Sequence, residues 1–226
     1  MRGVNETLKE YAIRVTKETG VLPCIKLHKK DDWIAYAQAM YDGGARALEV
    51  TMTTPGALEA IEAISSHFGD EMLVAAGTTL DAATAREVIA HGGSIIVNPC
   101  VIPEVIDLAN RYNVPIYSGA FTATEVFTAM RAGASMVKIF PGALGGPKYM
   151  TNLKMVFPQV NLIPSGGVTE QNVAEFIRCG ACAVSGARTF MNFEMIEKEG
   201  LGWITKQVAT FIELIRKAKE NIPEIP

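Results

Sequence analysis

The chain has 226 residues, of which 49% are hydrophobic and 20% charged, and its formal net charge is −3. A chain this long can bury a real core, and α/β barrels commonly reach this length as a single domain. The weak acidic balance argues against a nucleic-acid surface, and the absence of any run of about 18 apolar residues argues against a membrane span. The N-terminal stretch MRGVNETLKEYAIRVTKETG is polar and helical in pattern rather than signal-like, so a soluble cytoplasmic protein is expected.

One pattern recurs along the chain: a helix ends at glycine, a small residue follows, and an apolar run begins. It appears as DGGARALEVTM, HGGSIIVNPC, AGASMVKIF and CGACAVSGA. Glycine just past a helix supplies the left-handed conformation that closes it. Short continuous apolar runs read as strands buried on both faces, as in parallel sheets. Strands are expected near 21–27, 46–51, 72–76, 94–98, 114–117, 135–140, 160–164 and 182–186. Amphipathic helices separate them, with one face carried by Trp33, Ile34, Ala37, Met40 and Tyr41, another by Val173, Phe176 and Ile177, and a third by Val208, Phe211, Ile212 and Ile215. Thr54-Pro55 and Ile102-Pro103 place proline at a helix start, Thr122 with Glu125 forms a capping box, and Thr169 opens the helix after strand seven. Eight βα units behind one extra helix predict a (β/α)₈ barrel, with residues 1–226 forming one domain. A doubly wound open sheet is the alternative, but no G-x-G-x-x-G follows an early strand.

The four cysteines, Cys24, Cys100, Cys179 and Cys182, read as buried free thiols. Cys179 and Cys182 form C-x-x-C but have no second pair or histidine partners for zinc. His28, His67 and His91 read as surface residues at loops and helix ends.

In a barrel of this kind chemistry gathers at the C-terminal ends of the strands. Those ends carry Lys26 and His28, then Glu49, Thr51 and Thr53, then Thr78 and Thr79, then Asn98-Pro99-Cys100, then Ser118-Gly119, then Lys138. Lys138 interrupts the apolar run MVKIFPG. Strand alternation that turns Val137 and Ile139 toward the helices turns Lys138 and Phe140 toward the axis. An amine held there is poorly solvated, which favours the neutral form that attacks ketones. Glu49, inside ALEVT, faces the axis by the same parity and can move protons beside it. A structural ion pair between the two would have the same geometry. The ends of strands seven and eight read Ser165-Gly166-Gly167 and Ser185-Gly186-Ala187-Arg188. Their backbone N–H groups suit a phosphate, with Arg188 adding a charge-assisted contact.

Together LEVT, AGT, VKIFPG with GGPKYM behind it, and PSGGVTEQN resemble the class I aldolases that cleave 2-keto-3-deoxy-6-phosphogluconate (KDPG) and 4-hydroxy-2-oxoglutarate (KHG). The resemblance runs from VLPCIK to SGARTF. It implies that Lys138 is the Schiff-base nucleophile, Glu49 the proton-transfer residue, and Thr78 a partner of the keto-acid carboxylate. Lys26, Thr53, Pro99 and Phe140 would complete the substrate site, and Ser165, Gly166, Gly167, Gly186, Ala187 and Arg188 the phosphate site. The resemblance also implies a homotrimer acting on a small keto acid with no metal, cofactor, nucleic acid or membrane partner. Three positions depart from the family pattern. Thr53 stands where many members carry an arginine, Ala75 stands before Ala76-Gly77 where they carry a glycine, and Ala187 replaces a serine. Lys26 keeps a charge that other members supply as arginine, without its bidentate fork. Rival readings are the 2-keto-3-deoxy-6-phosphogalactonate aldolase, whose substrate differs at C4, a phosphate-binding isomerase or epimerase, and a non-catalytic sugar-acid-binding barrel. The apolar side chains Phe121, Phe127 and Met130 are candidates for a subunit interface.

Overall fold

The structure is a computed structural model that describes residues 2–27 and 32–220. His28 and the tail beyond Glu220 lie outside the described residues. A capping box of Thr7 and Glu10 opens α1 (Leu8–Thr19), and Gly20, at φ 73°, turns the chain directly into β1 (Val21–Ile25). The alternation then runs β2 (Ala47–Thr51), β3 (Leu73–Gly77), β4 (Ile95–Val97), β5 (Ile116–Ala120), β6 (Met136–Ile139), β7 (Leu162–Pro164) and β8 (Val184–Gly186). Between and after them stand α2 (Trp33–Asp42), α3 (Ala57–Phe68), α4 (Ala82–Ala90), α5 (Pro103–Arg111), α6 (Ala123–Arg131), α7 (Gly142–Val156), α8 (Val173–Arg178), α9 (Ala187–Phe190), α10 (Phe193–Glu199) and α11 (Gly202–Glu220).

All eight strands are parallel neighbours in the order β7-β6-β5-β4-β3-β2-β1-β8. A bridge between Ser165 and Ser185 brings β7 against β8. This is a (β/α)₈ barrel preceded by a helix. The four repeated glycine turns behave as their sequence demands, with Gly44, Gly92, Gly133 and Gly180 all at positive φ.

Strand parity divides the buried residues into two cores. The outer one, between sheet and helices, holds Leu48, Val50, Val74, Ile96, Ile116, Val137 and Ile139. The inner one fills the barrel with Leu22, Ala47, Leu73, Ala75, Ile95, Val97, Tyr117, Met136, Ile163 and Ala183. Tyr11, Ala12 and Val15 of α1 join the inner core, so α1 stoppers the N-terminal end of the barrel. Tyr117 ties it there, pairing with the Thr16 hydroxyl at 2.8 Å and donating to the Ala12 carbonyl at 3.1 Å.

Several local expectations need correction. β5 begins at Ile116 rather than 114 and includes Ser118-Gly119-Ala120, because Pro115 has no N–H for the ladder. Thr169 does not open α8, which starts at Val173; Asn172 instead accepts from the Thr169 N–H at 2.8 Å and closes a turn. Pro55 precedes α3, whose cap is Gly56 at φ 74°. Of the four thiols only Cys24 is fully buried, and Cys100 is exposed. Pro103 at the start of α5 and the Thr122–Glu125 capping box of α6 are as expected. Among the described residues no helix is long and apolar enough to cross a membrane.

Candidate active site

Lys138 projects from β6 into the barrel between the ladder positions of Gly119 on β5 and Ile163 on β7. Its side chain is 11% exposed and that of Glu49 only 2%. The Lys138 Nζ donates to Glu49 Oε2 at 3.4 Å and Oε1 at 3.5 Å. The amine therefore sits over both oxygens of one carboxylate, inside a wall of apolar side chains.

Room for the pair comes from glycine. A Cβ on Gly77, across the ladder from Thr51, would lie 1.9 Å from Glu49 Oε1. A Cβ on Gly119, beside Lys138, would lie 2.3 Å from the carbonyl oxygen of Pro99. Gly119 thus lets the Asn98-Pro99-Cys100 turn fold inward over the lysine. The sequence names Gly119 among the strand ends, but not Gly77 or Cys24 as site residues. Cys24 pairs in register with Glu49, and its Sγ donates to Glu49 Oε1 at 3.5 Å. Burial, reinforced by the Glu49 charge, pushes the Cys24 thiol well above the usual range. The signal was available, since Leu22, Cys24 and Lys26 share one strand face.

The remaining expected residues ring the same end of the barrel. Thr78 follows β3 in a left-handed conformation, φ 60°, which a β-branched residue adopts only under constraint. Thr53 is exposed and its hydroxyl donates to Thr51 Oγ1 at 3.2 Å; Thr51 contacts Thr54 Oγ1 at 3.2 Å, and Thr54 accepts from the Leu27 N–H. This chain of hydroxyls ties the end of β2 to the end of β1. Phe140 is 43% exposed and stands over the β7 loop, where a Cβ on Gly166 would meet its ring at 3.5 Å.

The β7 and β8 loops meet where the barrel closes. Ser165 and Ser185 bridge, and a Cβ on Gly186 would lie 3.7 Å from the Gly166 nitrogen. Gly166 and Gly167 are both left-handed, at φ 83° and 79°. The carbonyls of Ser165 and Gly166 accept from the N–H groups of Gly142 and Ala143, which pins the loop to the end of β6. Beside it opens a cavity of about 510 Å³ lined by Lys26, Ala187, Arg188, Met191, Asn192, Phe193 and Glu194. The cavity lies off the Lys138–Glu49 axis, toward the β8 side. It groups Lys26 with Ala187 and Arg188, giving two cations beside the paired loops.

A largely buried amine, a carboxylate 3.4 Å from it and a cationic rim are groups that can together serve carbonyl chemistry on an anionic substrate. Residues 12–207 match the family model described as KDPG and KHG aldolase. The chain is 34% identical over 190 residues to the 2-dehydro-3-deoxy-6-phosphogalactonate aldolase of Escherichia coli K12, covering 83% of this chain and 90% of that one. It is 37% identical over 158 residues to the 2-dehydro-3-deoxy-phosphogluconate aldolase of Treponema pallidum, covering 70% and 75%. The crystal structure of KDPG aldolase from Legionella pneumophila, with pyruvate captured at low pH as a covalent carbinolamine intermediate, superposes with a TM-score of 0.81. That match is at 28% identity and covers 88% of this chain and 97% of the other. The barrel, the motifs and these relatives converge, and the chain belongs to the KDPG and KHG aldolase family of carbon–carbon lyases.

Proposed function

We propose that the protein, acting as one domain per subunit, cleaves KDPG to pyruvate and glyceraldehyde 3-phosphate through a Schiff base on Lys138. The observation that carries this reading is the largely buried Lys138 amine 3.4 Å from Glu49. The amine attacks the C2 ketone. Glu49, through a water, moves the protons of carbinolamine formation and dehydration, then takes the proton of the C4 hydroxyl. The C3–C4 bond breaks with the iminium as electron sink and leaves an enamine of pyruvate. Protonation and hydrolysis free pyruvate and regenerate the amine. Thr78 and Thr53 receive the carboxylate end, while Pro99 and Phe140 flank the chain of the substrate. The Ser165 N–H is held by the Ile139 carbonyl at 3.0 Å, so the N–H groups of Gly166, Gly167, Gly186 and Ala187 receive the phosphate, with Arg188 and Lys26 supplying positive charge. With a hydroxyl-bearing dicarboxylate, 4-hydroxy-2-oxoglutarate, the aldehyde product is glyoxylate.

A second reading, the galactonate epimer as substrate, is favoured by one observation. Of the two relatives matched above by sequence alone, the phosphogalactonate aldolase covers the larger share of this chain, 83% against 70%. Assaying both C4 epimers separates the two. The Lys138 chemistry is tested by incubating the protein with pyruvate and borohydride and mapping the adduct by mass spectrometry. A single reduced pyruvyl group on Lys138, absent from K138M, is expected. An adduct scattered over surface lysines would overturn the Schiff-base mechanism.

A further inference from the structure

The Glu49 carboxylate is not held symmetrically. Lys138 stands 3.5 and 3.4 Å from its two oxygens, but only Oε1 also meets the Cys24 thiol. Oε1 is hemmed on another side by the backbone of Gly77, where even one added carbon would overlap it. Among the hydrogen bonds of the described residues, Oε2 pairs with Lys138 alone. Cys24 is itself 4% exposed and Glu49 1%, so bulk water does not compete for the contact. A buried thiol beside a carboxylate stays protonated, and a protonated thiol can only donate to that carboxylate.

We propose that Cys24 is a positioning residue that pins Oε1 of Glu49 and leaves Oε2 as the oxygen that moves protons at the Lys138 Schiff base. The inference rests on the aldolase reading above and deepens it. Cys24 touches neither substrate nor the reacting atoms; it acts through the orientation of the carboxylate. A carboxylate free to rotate would present either oxygen in turn, and the proton transfers would lose their fixed geometry. The donor matters in this account, and the volume of the side chain does not.

Three variants separate those two contributions. C24S keeps a donor, C24V keeps the bulk without one, and C24A keeps neither. Each is assayed for the borohydride-trapped pyruvate adduct at equilibrium, for exchange of pyruvate methyl protons in D₂O by NMR, and for kcat and KM of KDPG cleavage. Melting curves identify any variant that fails to fold. All variants are expected to carry the Lys138 adduct at saturating pyruvate. C24V and C24A are expected to lose about tenfold in exchange rate and kcat at unchanged KM, and C24S to restore most of that loss. C24V as fast as the native protein, or C24S as slow as C24V, would overturn the role of Cys24 while the trapped adduct still upheld the Schiff base. Absence of any Lys138 adduct in the native protein would overturn both.

Discussion

Thr78 carries backbone strain at the C-terminal mouth of the barrel. Its φ of 60° places a β-branched side chain where glycine belongs, at a cost of about 1–3 kcal/mol. The surrounding barrel holds it there, directly after Gly77, whose backbone crowds the Glu49 carboxylate. Thr78→Gly relieves the strain, and the extra freedom of the unfolded glycine offsets part of the gain. The melting midpoint should therefore hold or rise, by an amount equivalent to at most about 1 kcal/mol. The KM for the keto acid should rise about tenfold as the hydroxyl is lost. Urea unfolding and steady-state kinetics on one preparation read both quantities, and a T78G protein that unfolds more easily would refute the strain argument. Glu49→Gln makes a complementary case: it keeps the shape but cannot take a proton, so kcat should fall about 10²–10⁴-fold. Single-turnover cleavage of KDPG checks that range, and a fall smaller than tenfold would leave Glu49 with an ion-pairing role only.

At the scale of elements, the N-terminal helix and β5 depend on each other. Tyr117 is fully buried on β5, and its hydroxyl is the hinge of contact with Thr16 and Ala12 on α1. Burial raises the phenol above its ordinary 10 despite the opposing bond from Thr16. The Cys24 thiol is raised too, also chiefly by burial. For an acid whose folded pKa exceeds its unfolded one, the unfolded chain releases its proton first as pH climbs. Stability is then complete below the unfolded pKa and is lost as pH rises through it toward the folded value. The barrel should accordingly keep its melting temperature to about pH 8 and lose it steadily above about pH 9, the ordinary thiol and phenol range. Tyr117→Phe should melt lower at neutral pH by about 1–2 kcal/mol, since it forfeits two hydrogen bonds, yet decline less steeply between pH 9 and 11. Calorimetry across that range decides the point; parallel curves for the two proteins would remove Tyr117 as the source. The sequence made α1 visible as a helix but did not reveal its place, because Tyr11, Ala12 and Val15 meet the barrel only in three dimensions.

Across the whole molecule, what could be read from sequence was whatever one strand or one turn decides by itself. The glycine turns announced the βα repeat, and two-residue alternation turned Lys138 and Glu49 to the same axis. Their 3.4 Å separation was beyond reach, since it depends on register across strands that are 89 residues apart. The same holds for Cys24, whose neighbour comes from β2, and for Lys26, which shares a cavity with Arg188 only after β1 and β8 pair. A subunit interface is likewise a property of the assembled surface. Phe127, Met155 and Val156 are 51%, 78% and 65% exposed, and Phe127 stacks on Phe157 at 6.2 Å, joining α6 to the end of α7. Phe121 and Met130, by contrast, are half-buried against the core. Exposed aromatic and aliphatic groups clustered in this way are commonly covered by another chain. A band of this kind suits contact between copies of the chain. A charge at its centre would be desolvated and unpaired on assembly, so Phe127→Asp should reduce any assembly built through this band to the monomer at micromolar concentration. Phe127 is far enough out of the core that the monomer should still fold. Light scattering coupled to size exclusion reads the mass directly. A native protein that elutes as a monomer, or an F127D protein with the native mass, would send the search for an interface to another face of the barrel.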